Sequence, residues 1–147
     1  MSVIEFIRDS QYGMPIVQSV HLVGLTLLLA VVFVLNLRLA DVALKNVSLE
    51  FLVQQLRRWL FVGLAVVVLS GLLIFIGTPA KYLASNPFRV KMAVLGLAML
   101  FQYGMLRRFA APDAMPRSRA ARLIVAALSL TLWFTVGWAG RAIAFIP

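Results

Sequence analysis

The 23 residues from Pro15 to Leu37, PIVQSVHLVGLTLLLAVVFVLNL, contain no Asp, Glu, Lys or Arg. As a helix, such a run rises about 34 Å at ~1.5 Å per residue, enough to cross a hydrocarbon core of roughly 30 Å. Within lipid, every backbone N–H and C=O must be paired inside the protein, which leaves helices and closed barrels as the only spanning structures. Inside this run sits His21, the single histidine of the chain. A polar, titratable side chain is costly at that depth, so it is the first candidate for function.

Three more apolar stretches follow: residues 59–77, 90–106 and 123–146. Hydrophobic residues make up 63% of the sequence and charged ones 13%, against about half and a quarter in soluble domains. The expected fold is all-α: a polytopic membrane protein forming one domain over residues 1–147, a four-transmembrane-helix bundle with spans near 15–37, 59–77, 90–106 and 123–146. No internal repeat is evident, although two helical pairs are compatible with the pattern.

Local signals place the ends of these elements. Residues 1–14 lack the positive start and small-residue cleavage site of a signal peptide. Ser2 and Glu5 stand at capping-box spacing among apolar neighbours, which predicts a short helix lying at the membrane surface. Ser48 is a candidate N-cap, and Leu49, Leu52, Val53, Leu56 and Leu60 recur at helical spacing. The second helix therefore begins as an amphipathic extension and enters the bilayer near Trp59. Gly77, Thr78 and Pro79 end it. A loop, TPAKYLASNPF, leads to Asn86 as N-cap and Pro87 as first helical residue of the third span.

The net charge of +9 comes from basic residues that bracket apolar spans, without interleaved aromatics, so nucleic acid is not an expected partner. The connections after spans one and three hold nine Lys and Arg, and the remaining segments hold five. The positive-inside rule puts the nine in the cytoplasm and both termini outside. The expected location is a membrane, with both termini on its outer side. The expected partners are the lipid bilayer and, within it, a second copy or a larger membrane complex.

His21 lies six residues after Pro15, about 9 Å below the outer interface by helical rise. Gln18 and Gly24 share its face. A glycine beside a histidine leaves room for a flat macrocycle or for a close helix. The alternative for His21 is an inter-helix hydrogen bond or wetting from the surface. Arg89 and Lys91 sit in the first turn of the third helix, where cations oppose the helix dipole, and Arg141 lies near the end of the fourth. All three fall at the outer ends of their helices. An anion there would relieve their repulsion: a haem propionate, a lipid phosphate or an acidic partner. The bland reading is snorkelling toward headgroups. Trp138, three residues before Arg141, is in position to stack on it or frame a site with it; packing is the alternative for it and for Trp133 and Phe134. Met14 and Met92 lie near the same level as possible thioether ligands.

The absences narrow the classes. With no cysteine, disulfides, thiolate clusters and cysteine catalysis are excluded. Carboxylates are absent from every predicted span, so a proton relay of paired acids is not expected. There is no phosphate loop, nucleophile elbow or zinc spacing, and no catalytic residue is assigned. A metal ion held by His21 alone, without acidic help, would be weakly bound.

The segments VHLVGLTLLLA, NLRLAD, SGLLIF, KYLASNPFRVKM and WAGRAIAF resemble a bacterial family of four-span inner-membrane proteins of unknown function, over nearly the full length. More distantly the chain is similar to the membrane part of copper-resistance D proteins and to four-helix b-type cytochromes. The cytochromes place two histidines on each haem. With one histidine, this chain needs a methionine, an open position or a second protomer's His21 to complete such a site. The family resemblance implies a bacterial inner membrane, with both termini periplasmic, and brings no established activity. The single histidine with three converging cations points to a small b-type haem or quinone-associated electron-transfer protein. Its cofactor would be bound by His21, the metal ligand, with Gly24, Arg89, Lys91, Trp138 and Arg141, in the outer half of the bundle. The alternative is a non-catalytic accessory, assembly or lipid-binding subunit of a larger complex.

Overall fold

A computed structural model describes residues 2–112, 115–143 and 145. Where the sequence supplies a side-chain cap, a helix starts. Ser2 Oγ accepts from Glu5 N (3.2 Å) while the Glu5 carboxylate accepts from Ser2 N (2.7 Å), which fixes α1 (Val3–Asp9). Ser48 Oγ accepts from Phe51 N at the start of α3 (Leu49–Gly77), and Ser118 Oγ from Ala121 N at the start of α6 (Arg119–Ala142). These bonds satisfy N–H groups that have no partner within the helix. Between them run α2 (Gly13–Leu39), α4 (Pro79–Ala84) and α5 (Asn86–Phe109).

Four of these helices, α2, α3, α5 and α6, are long and apolar enough to cross a membrane. Large apolar side chains such as Leu22, Val23, Leu69, Leu100 and Phe134 face outward on them. Surface of that extent marks contact with lipid, and the molecule is a multi-pass membrane protein.

Three boundaries differ from expectation. The loop after α3 contains a helix of its own, α4, begun by Pro79 and packed through Phe75, Tyr82 and Phe88, whose ring centroids lie 5.4–6.3 Å apart. Because α4 runs to Ala84, a single residue, Ser85, separates it from α5. Ser85 is therefore the N-cap, and Asn86 is already helical. The fourth helix stops at Ala142 instead of reaching Ile146, which lies outside the described residues.

α2 packs most extensively on α3, and α5 on α6. The pairs join through α2 with α6 and, more thinly, α3 with α5, so α2 lies diagonal to α5 and α3 to α6. Glycines set the first seam. A Cβ on Gly63 would lie 2.9 Å from Leu28 N and 3.2 Å from Gly24 O, and one on Gly24 would lie 2.6 Å from Val66 Cγ1. Small residues of this kind are what allow two helix backbones to touch in lipid.

Polar pairs fix the register elsewhere. Asn36, fully buried, donates from Nδ2 to Val32 O (2.8 Å) and to Ser129 Oγ (2.9 Å), tying α2 to α6. Trp133 Nε1 donates to Gln102 Oε1 (3.3 Å), tying α6 to α5. The large side chains with no exposure, Leu28, Val32, Leu35 and Leu39, all lie from mid-span toward the end formed by the α2–α3 and α5–α6 connections. At the opposite end, which carries the start of α2 and the end of α6, the buried positions include the small residues Gly13, Gly24, Gly77, Ala139 and Ala142 beside Ile7 and Val67. His21 belongs to this half.

Candidate functional site

Contact across the Gly24–Gly63 seam carries the next turn of α2 onto the next turn of α3, and it sets His21 against Ser70 and Gly71. A Cβ on Gly71 would stand 3.3 Å from His21 Cε1, so glycine leaves the space that the imidazole takes. His21 Nδ1 lies 2.9 Å from Ser70 Oγ. The Ser70 hydroxyl gives its proton back along its own helix to the carbonyl of Val66, with the Val67 carbonyl at 3.3 Å. A hydroxyl has one proton to give. With that proton on the Val66 carbonyl the hydroxyl accepts from the imidazole, and in this arrangement Nδ1 is the nitrogen that carries hydrogen. Nε2 is left with its lone pair. That is the tautomer of a metal-ligating histidine held by a hydrogen bond on its other nitrogen.

α5 and α6 complete the level. Lys91 extends from the first turns of α5 until its Nζ lies 3.3 Å from the position a Cβ would take on Gly140 of α6. From there it acts electrostatically on the His21 ring. One residue from each spanning helix, or two in the case of α3, thus meets at a common depth: His21, Ser70 with Gly71, Lys91 and Gly140. Lys91 is half-buried, and the ion pairs among the described residues are elsewhere: Arg8 with Asp9, and Asp41 with Arg38 and Arg122. The site thus combines an imidazole held through Nδ1 and a cation that has no carboxylate partner among the described residues.

The other candidates lie apart. Arg89 is exposed and donates to Leu83 O (3.3 Å). Arg141 is exposed, its guanidinium 5.0 Å from the Phe145 ring centroid. Trp138 is 71% exposed and lines a shallow outer groove of α6 with Phe134 and Thr135. Gly24 is buried, and the space beside it is filled by Val66 and Val67 of α3. Met14 packs its methyl group near Gly77 and Ile7, and Met92 is exposed. Of the three outer cations, Lys91 alone joins His21. Among the described residues no group of three His, Asp or Glu side chains is placed to hold a bare metal ion.

Ser70, Gly71 and Gly140 escaped the sequence reading as parts of a site. For Ser70 and Gly71 the available signal was their adjacency, a hydroxyl next to a gap, within an otherwise apolar span.

The sequence model described as "Family of unknown function (DUF6644)" matches residues 2–146. The chain belongs to this family. The match covers all the residues that form the His21 level, so the site lies within the family's common region. No curated protein and no solved structure matches the chain.

Proposed function

We propose that this member of the family is a small electron-transfer protein that holds haem b in the half of the bundle containing His21, with His21 Nε2 as axial ligand. The observation that carries the reading is the 2.9 Å contact of His21 Nδ1 with Ser70 Oγ: with Ser70 accepting there, Nε2 is left as a donor to iron. One further feature fits the group. Lys91, a cation with no carboxylate among the described residues, suits a propionate.

When bound, haem supplies one-electron redox chemistry. Ser70 keeps the imidazole from rotating, Gly71 leaves it room, and Lys91 balances negative charge at the rim. Arg89 and Arg141, on the outer surface at the same end, raise the positive potential facing an approaching acidic partner or headgroup. The second axial position falls to a small molecule or to the His21 of a second copy.

Oxidised and reduced absorption spectra of the detergent-purified protein test it. A Soret band is expected, lost in His21→Ala and shifted in Ser70→Ala. Protein that shows no such band, and gains none on titration with haemin, is not a haem protein. In that outcome the second reading stands: an accessory or lipid-binding subunit in which Lys91 neutralises a phosphate headgroup, favoured by the half-exposed position of His21 and Lys91.

A further inference from the structure

The thin contact between α3 and α5 leaves a cleft away from His21. Its volume is about 230 Å³, and its wall includes Phe61 and Leu64 of α3, Met99 and Tyr103 of α5, and Trp133 of α6. Besides Tyr103, which is 53% exposed, and the Trp133 indole, the polar residue of its lining is Gln102, which is 2% exposed. The orientation of its amide follows from chemistry. The Trp133 indole N–H is a donor only, so the group facing it at 3.3 Å is Oε1. Nε2 then points away with two N–H donors, and it has no partner among the described residues. A buried amide donor left unpaired costs about 1–3 kcal/mol, more than a native site ordinarily leaves uncompensated.

We infer that this cleft is a binding site for a quinone of the bilayer, its ring carbonyl accepting a hydrogen bond from Gln102 Nε2. The size of the cleft supports one ring rather than a whole ligand. About 230 Å³ falls below the 300–1,000 Å³ typical of sites that enclose a drug-sized molecule, so an apolar tail would remain in the lipid. Aromatic walls on three sides, Phe61, Tyr103 and Trp133, suit a flat ring.

Depth separates a quinone from the ester carbonyl of a phospholipid. Arg107, whose guanidinium lies 5.8 Å from the Tyr103 ring centroid, is the first charge at this end of α5, and a cation there would sit at the headgroup level. Gln102 is five residues further in, about 7.5 Å deeper by helical rise. An ester carbonyl is anchored near the headgroup by its phosphate, whereas an uncharged ring enters that depth freely. The inference is independent of haem at His21 and survives if that site proves empty.

Trp133 is the reporter, since a quinone in the cleft quenches its fluorescence. The protein with Trp59→Phe and Trp138→Phe is placed in nanodiscs of ester-linked and, separately, ether-linked phospholipid, and titrated with a short-chain isoprenoid benzoquinone. Saturable quenching near one quinone per protein is expected in both lipids. Loss of one hydrogen bond to the ring should weaken binding about tenfold in Gln102→Leu. Leu64→Phe, which fills the cleft and leaves the amide intact, should abolish saturation; it provides the test if the first variant does not fold. Quenching that never saturates, or that is unchanged in these variants, overturns the inference. Binding confined to the ether-linked lipid also overturns it, because an ester carbonyl would then be the occupant.

Discussion

Alanine at Gly63 and at Gly96 should have opposite effects on stability, although both glycines lie in membrane-spanning helices. At Gly63 the new Cβ would stand 2.9 Å from Leu28 N, 0.5 Å inside the 3.4 Å at which ordinary contact begins, and 3.2 Å from Leu28 Cα and Gly24 O. All three atoms are backbone, so no side chain can turn aside; α2 and α3 must part by about that shortfall. A gap of ~0.5 Å along a packed seam gives up about a quarter of each affected contact. Overpacking of this kind costs up to about 3 kcal/mol, offset by the ~1 kcal/mol by which alanine favours a helix over glycine. The net loss should be about 2 kcal/mol. At Gly96 nothing lies within 4 Å, and only the helix-propensity gain applies, up to ~1 kcal/mol. Parting the seam should also stretch His21 Nδ1 to Ser70 Oγ from 2.9 Å to about 3.4 Å, the limit of a useful hydrogen bond. Reversible denaturation in mixed micelles measures the stability difference, and the imidazole N–H resonance reports the bond. If Gly63→Ala is as stable as Gly96→Ala, the close approach of α2 and α3 is wrong, and with it the placement of His21.

Gly71→Ala should perturb the imidazole more than the fold: the added Cβ meets Cε1 at 3.3 Å, so the ring turns, and the Nδ1 proton signal moves with a stability loss of ~1 kcal/mol or less. Ser129→Ala leaves Asn36 its bond to Val32 O but removes the one to α6; a loss of about 0.6 kcal/mol, at most ~1.7, is expected by the same denaturation. Ser2→Ala breaks both bonds of the capping box and should destabilise α1 by about 1 kcal/mol, seen as faster amide exchange over Val3–Asp9 alone. The chain has no cysteine, so single-cysteine labelling tests its orientation. Lys81→Cys should react with an impermeant thiol reagent in intact cells and Lys45→Cys should not; the reverse pattern would invert the assigned sidedness.

The four spans and the caps at Ser2 and Ser48 were legible in the sequence because the forces that fix them are local. Hydropathy over ~20 residues selects a spanning helix, and Ser2 and Ser48 satisfy N–H groups three residues away. The short helix α4 was not legible: between Thr78–Pro79 and Asn86–Pro87 the punctuation of a loop outweighs six helical residues, and the Phe75–Tyr82–Phe88 cluster that holds them is tertiary. His21 and Lys91 were visible as polar exceptions in apolar runs. Their meeting was not, and neither was the parting of Arg89 and Arg141 from them.

By itself, the sequence determined that this protein crosses the bilayer four times and carries one imidazole in its first span. Tertiary structure alone decided what that imidazole touches. Ser70 is 49 residues from His21 along the chain, and whether they face each other depends on how α2 and α3 rotate about their axes. Hydropathy cannot set that rotation, since both helices are apolar on nearly every face. It is set where Gly24 and Gly63 let two backbones touch, a contact that exists only once the helices are side by side.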